Sequence, residues 1–379
     1  MVPAARRSSR KAALGHVKIC RDDNARPSRS KQAAMPEGLL KPLPIGSSYA
    51  VRFSPDSRLL ATVGRNVVLW SLEDRQRIAH AHPFKHPSWI DFSPTGDRIA
   101  VKSTAGRICI LTVPDLALLV EFDGRGASEG NQISFSPCGG FLVDSDWDGR
   151  LVVRDSRTGE FVHREQFPGT MIQWFAARAD RQAFAFGPFI REPEIDGPRC
   201  GMVACRTWPL SDVATPTLNV SDRSIELGAL SADGTAVALL VSDEHPVYRL
   251  QLLEQRGTGW TSREAMVIHS GGTSKAMSWS PDGRRLALTE DNSTSVFDVS
   301  TLVRVAYHPL PYPCDVAWSP DGRLLALGSW SKGVVIDAES VGDLAQLAAS
   351  NSHDLVREPD AAQAFEKLKT LIQKAKAGP

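Results

Sequence analysis

An all-β fold is predicted for this chain of 379 residues: a seven-bladed β-propeller of four-stranded antiparallel blades, followed by a short C-terminal α-helix. Three observations predict it. An aromatic or aliphatic residue, a serine and a turn recur six times, at Phe53-Ser54-Pro55-Asp56, Phe92-Ser93-Pro94-Thr95-Gly96, Phe135-Ser136-Pro137-Cys138-Gly139, Leu230-Ser231-Ala232-Asp233-Gly234, Trp279-Ser280-Pro281-Asp282-Gly283 and Trp318-Ser319-Pro320-Asp321-Gly322. The serines lie 39, 43, 95, 49 and 39 residues apart, so the interval of 95 hides a degenerate seventh copy. A period near forty residues built from short strands is the mark of a propeller blade. Finally, the segments after each turn are short and nearly all apolar, as expected of strands packed on both faces.

Within each copy, a strand runs into the serine: Val51–Ser54, Ile90–Ser93, Ile133–Ser136, Met277–Ser280 and Val316–Ser319. The turn follows because proline presets φ and glycine accepts positive φ. Second strands are expected at Leu59–Val63, Arg98–Lys102, Phe141–Asp144, Ala236–Val241, Arg285–Thr289 and Leu324–Gly328. Third strands are expected at Val67–Trp70, Ile108–Leu111, Leu151–Asp155, Tyr248–Leu253, Ser295–Asp298 and Val334–Asp337. The degenerate copy reads Ile172–Phe175, Gln182–Phe186 and Val203–Trp208, and completes the count of seven.

The repeats leave two ends of different character. Residues 1–34 hold nine Lys/Arg against Asp22 and Asp23, a net +7 that leaves −6 for residues 35–379 out of the overall +1. They are expected to be a basic disordered tail, or a stretch upstream of a true start at Met35, with an organelle-targeting or nucleic-acid-binding arm as the competing reading. The propeller is expected over 35–340 and a linker with an amphipathic helix over 341–379, because Phe365, Leu368, Ile372 and Ala375 recur at helical spacing behind Pro359. Lys41-Pro42-Leu43-Pro44 echoes His308-Pro309-Leu310-Pro311, so about Gly38–Pro44 is expected to supply the outer strand of blade 7 and close the ring. Deleting residues 1–34 should then be harmless and deleting 1–46 should unfold the ring.

Composition narrows function mostly by exclusion. The acidic body disfavours nucleic acid as main partner. No apolar run reaches membrane-spanning length, and no hydrophobic segment follows the basic N-terminus. The cysteines (Cys20, Cys109, Cys138, Cys200, Cys205, Cys314) form neither a disulfide framework nor a zinc pattern, which suits a reducing cytoplasm. There is no Gly-x-Ser-x-Gly elbow and no His-Glu-x-x-His, and Gly124–Gly130 lacks the Lys-Ser/Thr and helix of a phosphate loop. Asp144-x-Asp146-x-Asp148-Gly149 with Asp155 resembles a calcium loop, in which alternate carboxylates converge on a hard cation. The hairpin reading is stronger: Leu151–Arg154 is extended and carries Asp155 more than ~13 Å from Asp148 at ~3.3 Å per residue. No metal or cofactor is therefore expected.

The Phe/Trp-Ser-Pro-Asp-Gly units, the turn Asp146-Trp147-Asp148-Gly149 and the strand endings Arg154-Asp155, Phe297-Asp298 and Ile336-Asp337 together resemble WD-repeat propellers over roughly residues 38–340. The chain departs from that pattern in having no Gly-His pair before its blades and only Trp70 as a third-strand terminal Trp. The resemblance implies that His82, His269 and His308, each eleven residues before a motif serine, join a structural hydrogen-bond network with it. It also implies a non-catalytic scaffold or adaptor for a protein or peptide, monomeric or within a complex; a hydrolase or lactonase-like propeller enzyme with a polar channel mouth is the alternative.

In such blades the loop leading into the first strand shares a face with the hairpin between the second and third. That face collects the candidate partner-binding residues, and a protein or peptide is expected to bind on its blade 3–4 side, beside Trp147 and the insertion. Trp147 and Trp330 stand at hairpin tips, and the insertion 187–201 of blade 4 carries Arg191, Glu192, Glu194 and Arg199. Tyr49, Trp89, Lys275 and Asp315 precede first strands. Aromatic side chains beside an arginine-bearing loop are the usual anchors of an interface.

Overall fold

A computed structural model of the chain describes residues 41–122, 132–167, 170–178, 183–190, 201–208, 217–221, 224–244, 247–257, 259–268 and 276–339. The chain divides between Val341 and Gly342. The basic segment 1–34, most of the blade 4 insertion and the amphipathic segment 360–376 lie outside the described residues. No helix among the described residues is long and apolar enough to cross a membrane.

Seven antiparallel sheets follow one another along the chain. Blade 1 is Ala50–Phe53, Leu59–Val63, Val67–Ser71 and Gln76–Ala81, from the inner strand outward. Blades 2 to 6 repeat that order, with inner strands Pro87–Phe92, Ile133–Phe135, Thr170–Ala177, Ser224–Leu230 and Met277–Trp279. In blade 7 the inner strand Pro313–Trp318 pairs with a long strand, Leu324–Asp337, which folds back so that the Ala338 N–H reaches the Arg323 carbonyl at 2.8 Å. Leu43–Ser48, from the beginning of the chain, pairs antiparallel with the returning arm and supplies the fourth strand. Successive blades adjoin in sequence order, and the inner strand of blade 7 meets that of blade 1, so the ring is closed.

The period-2 pattern of the second strands explains the core. Leu60 faces the interface of blades 7 and 1, whereas Ala61 and Val63 face that of blades 1 and 2. Ile99 and Val101 point back to blade 1, and Ala100 forward to blade 3. The same division yields seven apolar clusters among the described residues, each shared by two neighbouring blades. An all-apolar strand is thus an alternating strand with two buried faces.

Each motif serine closes its own turn. Ser54 Oγ accepts the Leu59 N–H at 2.9 Å, and Ser93, Ser136, Ser231, Ser280 and Ser319 accept the equivalent N–H from Arg98, Phe141, Ala236, Arg285 and Leu324. The same hydroxyl donates to the aspartate two residues on in four blades, at 2.6 Å for Asp56, Asp233 and Asp282 and 2.5 Å for Asp321. Partial burial is the largest influence on Asp56, Asp233 and Asp282 and raises their pKa, but the serine and backbone bonds together hold all three below the usual carboxylate value. Blade 3 places Cys138 in that seat, 3.3 Å from Ser136 Oγ; this contact lowers the pKa of an exposed thiol. In blade 4 the serine position is taken by Arg178, whose N–H makes the same turn bond to Ala183.

Two sequence expectations change here. The closing strand is Leu43–Ser48 rather than about Gly38–Pro44. Leu43 and Ile45 alternate inward against Val335, and Gly46 at φ +71° absorbs a bulge, so apolar periodicity sets the register and the proline echo does not. The expected histidine–serine bonds also fail to form among the described residues. His82 Nδ1 lies 3.2 Å from both the Arg65 carbonyl and Asn66 Oδ1, at the end of the blade opposite the Ser93 turn. His308 is half-buried, and burial lowers its pKa; His269 lies outside the described residues.

Candidate protein-interaction face

The loops leading into inner strands and the hairpins between second and third strands meet at one end of the ring. Trp330 N–H donates to the Tyr312 carbonyl at 3.0 Å, Thr104 N–H to His86 at 3.1 Å, and Leu310 N–H to Asn292 at 2.9 Å. Phe167 N–H donates to Gly149 at 2.8 Å, and Tyr49 N–H donates to Val63. The serine turns occupy the opposite end of each inner strand. The two ends therefore differ in kind: one repeats a fixed turn, the other varies from blade to blade.

On the variable face, Trp330 is 58 % exposed, with its ring centroid 4.4 Å from that of half-buried Tyr49 and the planes tilted by 43°. This pair bridges the hairpin of blade 7 and the start of blade 1. Tyr312, held beside Trp330 by the backbone bond, is 66 % exposed. Sequence reasoning missed Tyr312, although its setting between Pro311 and Pro313 was a usable signal for an aromatic held out on a loop. Its φ of +52° is shared by His86 (+54°), the residue before the inner-strand proline of blade 2. The loop geometry recurs, and each blade decides what side chain it carries.

The other candidates are distributed differently. Trp147 is half-buried at the blade 3 tip, where Asp146 Oδ1 accepts the Asp148 and Arg150 N–H groups at 2.9 and 3.0 Å. Trp89 is half-buried between blades, with the Arg52 guanidinium 4.3 Å from its ring centroid. Asp315 is not a surface group: it is 1 % exposed, and its Oδ2 accepts the Val51 N–H at 2.8 Å and Arg52 Nη1 at 2.6 Å. Burial raises its pKa despite the adjacent Arg52. Its role is to tie the inner strand of blade 7 to that of blade 1. Arg191, Glu192, Glu194, Arg199 and Lys275 lie outside the described residues.

The central channel encloses about 880 Å³ and is lined by Arg52, Asp91, Glu226, Met277 and Asp315, among others. Three of its lining groups are carboxylates, and two of them, Asp91 and Asp315, are taken up by bonds between neighbouring blades. Asp91 Oδ2 accepts the Phe135 N–H at 2.9 Å and the Ser134 hydroxyl at 3.1 Å, linking blade 2 to blade 3 as Asp315 links blade 7 to blade 1. The calcium-like aspartates are likewise dispersed. Asp144 pairs with Lys102 of blade 2, Asp146 caps its turn, Asp148 lies 3.4 Å from Arg150, and Asp155 accepts the Arg157 and Thr158 N–H groups. Among the described residues no three His, Cys, Asp or Glu side chains are grouped to hold a metal ion.

With the face described, comparison with known proteins places the fold. No known family profile matches the sequence. Solved structures similar to the chain include hydrazine synthase of Kuenenia stuttgartiensis, with a TM-score of 0.62 and 13 % identity over 78 % of this chain and 96 % of that one. The Cps50 (Swd1) β-propeller domain of Myceliophteria thermophila superposes with a TM-score of 0.61 and 13 % identity, over 78 % of this chain and 99 % of that one. The chain has the fold of a seven-bladed β-propeller. Among curated proteins, meiotic recombination protein rec14 of Schizosaccharomyces pombe is 32 % identical over 103 residues, 26 % of this chain and 34 % of its own. Telomerase protein component 1 of Rattus norvegicus is 27 % identical over 240 residues, 61 % of this chain. The match spans only 8 % of that long relative's length.

Proposed function

We propose that this chain is a non-catalytic protein-interaction scaffold, an adaptor that holds a protein or peptide against the variable face of its ring. The observation that carries this reading is the exposed Trp330–Tyr49 pair beside Tyr312. Large aromatic side chains leave water most profitably at an interface, and they lose little conformational entropy on binding. The channel supports the same reading, because Asp91 and Asp315 spend their carboxylates on inter-blade bonds instead of converging on a substrate. One partial relative is named as a component of telomerase, which agrees with a part in a larger assembly. Sequence reasoning put the contact beside Trp147 and the blade 4 insertion; the half-burial of Trp147 moves the proposed centre to blades 7 and 1.

Affinity capture from the native cell, quantified against a Trp330→Ala variant, tests the proposal. Specific partners should fall at least about tenfold with Trp330→Ala, as expected for a buried interfacial anchor. They should persist with Phe161→Ala, which removes an exposed aromatic from an outer strand away from this face. Equal capture by wild type and Trp330→Ala would reject the face.

A further inference from the structure

The variable face is electrically divided. Arg65 at the blade 1 tip, Lys332 at the blade 7 tip, and His82, Lys85 and His86 in the loop between blades 1 and 2 are all exposed. None of Arg65, Lys85 and Lys332 has a carboxylate within salt-bridge distance among the described residues. Among the described residues the tips of blades 3 and 6 carry carboxylates instead: Asp148 in blade 3, 3.4 Å from Arg150, and Glu290 and Asp291 in blade 6, with Glu290 3.1 Å from Arg304.

The cationic sector coincides with the aromatic one. Lys332 follows Trp330 by two residues, while Tyr49 and Arg65 line one depression of about 400 Å³ between the closing strand and blade 1. Ile45 and Val68 supply apolar surface there, and Ser47, Thr62 and Asn66 supply polar groups. An occupant of this depression meets an aromatic wall on one side and an uncompensated guanidinium on the other. A carboxylate satisfies Arg65 better than any neutral group, because Arg–carboxylate pairs are charge-assisted and frequently bidentate.

We propose that the blade 7–1–2 sector takes an acidic peptide segment carrying an aromatic or aliphatic anchor, the anchor against Trp330 and Tyr49 and the carboxylates toward Arg65 and Lys332. This rests on the adaptor reading and names its partner by chemistry. Nucleic acid, the other polyanion that pairs with aromatics and cations, fits less well. Its continuous charge would run onto the carboxylates at the tips of blades 3 and 6, where like charges are costly.

The test is selection of a displayed library of random peptides, about twelve residues long, on the wild-type full chain, followed by fluorescence anisotropy of the enriched sequences. Enriched peptides should be net negative with at least one aromatic or branched aliphatic residue. Their affinity should weaken about tenfold or more with Arg65→Glu/Lys332→Glu, and several-fold with the milder Arg65→Gln/Lys332→Gln. Circular dichroism confirms that both variants keep the wild-type unfolding midpoint, and the glutamine pair carries the test if the glutamate pair fails to fold. Enrichment of neutral or basic peptides, no enrichment at all, unchanged affinity in a folded variant, or tighter binding of a thymidine dodecanucleotide than of any selected peptide would each overturn the proposal. If Trp330→Ala abolishes capture from cells but charge reversal changes nothing, the adaptor reading stands and the acidic partner falls. If neither variant matters, both fall.

Discussion

A chain beginning at Tyr49 should fail to form the ring, whereas a chain beginning at Lys41 should unfold at the same urea concentration as the full protein. The first truncation strips blade 7 of its outer strand, Leu43–Ser48, and so exposes the returning arm of Leu324–Asp337 as an open edge. It removes Leu43 and Ile45 from the cluster they share with Val51, Phe53, Leu60, Ala317, Ala326 and Val335. Burying each of those two side chains is worth about 1.5–3 kcal/mol, and the lost ladder bonds add to this. Against a total stability of about 5–15 kcal/mol, that loss is enough to abolish a cooperative transition. The bare edge should also drive aggregation. A point substitution gives a milder version: a Cβ at Gly333 would lie 2.3 Å from Ser48 Oγ and 2.8 Å from the Gly46 carbonyl, so Gly333→Ala pushes the closing strand away. Urea unfolding followed by tryptophan fluorescence checks all three chains. Equal midpoints for the two truncations would mean that Leu43–Ser48 does not close the ring.

Asp144→Ala is the most damaging single substitution expected in the interior. Lys102 is 0 % exposed; its Nζ donates to Asp144 Oδ1 and, at 2.7 Å, to the Ser145 carbonyl, joining blade 2 to blade 3. Arg154, also buried, lies on the same face of blade 3 as Asp144, feels its charge, and stacks 4.1 Å from the Phe161 ring centroid. Removing Asp144 leaves two buried cations without an anion, which costs about 3–5 kcal/mol. Lys102→Met is expected to cost far less, because it removes one cation and leaves Asp144 to Arg154, and a buried ion pair is often replaceable by apolar volume. Lys102→Met/Asp144→Ala should then be less destabilised than the two single changes sum to. A double-mutant cycle by urea denaturation measures this coupling, and additivity within error would show that the two side chains do not interact.

How far the sequence was legible depends on the range of the interaction. The serine turns were readable because each is closed within five residues, from Ser54 to Leu59 and its equivalents. The second strands were readable because two buried faces leave an apolar run whichever blades they touch. The closing register was harder, since the proline echo lies in a connecting loop and the deciding signal was the two-residue alternation of Leu43 and Ile45. The aspartate motif of blade 3 was legible as a hairpin, but the partner of Asp144 was not, because Lys102 lies 42 residues upstream and no local spacing announces it. The same holds for the face: Trp147 and Trp330 occupy equivalent tips, yet among the described residues it is Trp330 that meets a ring, that of Tyr49, from the far end of the chain.

The proposed adaptor face is tested most directly by hydrogen–deuterium exchange on the full chain, alone and saturated with its captured partner. Bound, the amides of Ser47–Tyr49, Gly64–Asn66, Tyr312 and Ser329–Lys332 should slow together, while the serine turns from Ser54 to Ser319 stay unchanged. Protection confined to the channel strands or to Asp146–Gly149, with the Trp330 hairpin exchanging as in the free protein, would contradict it.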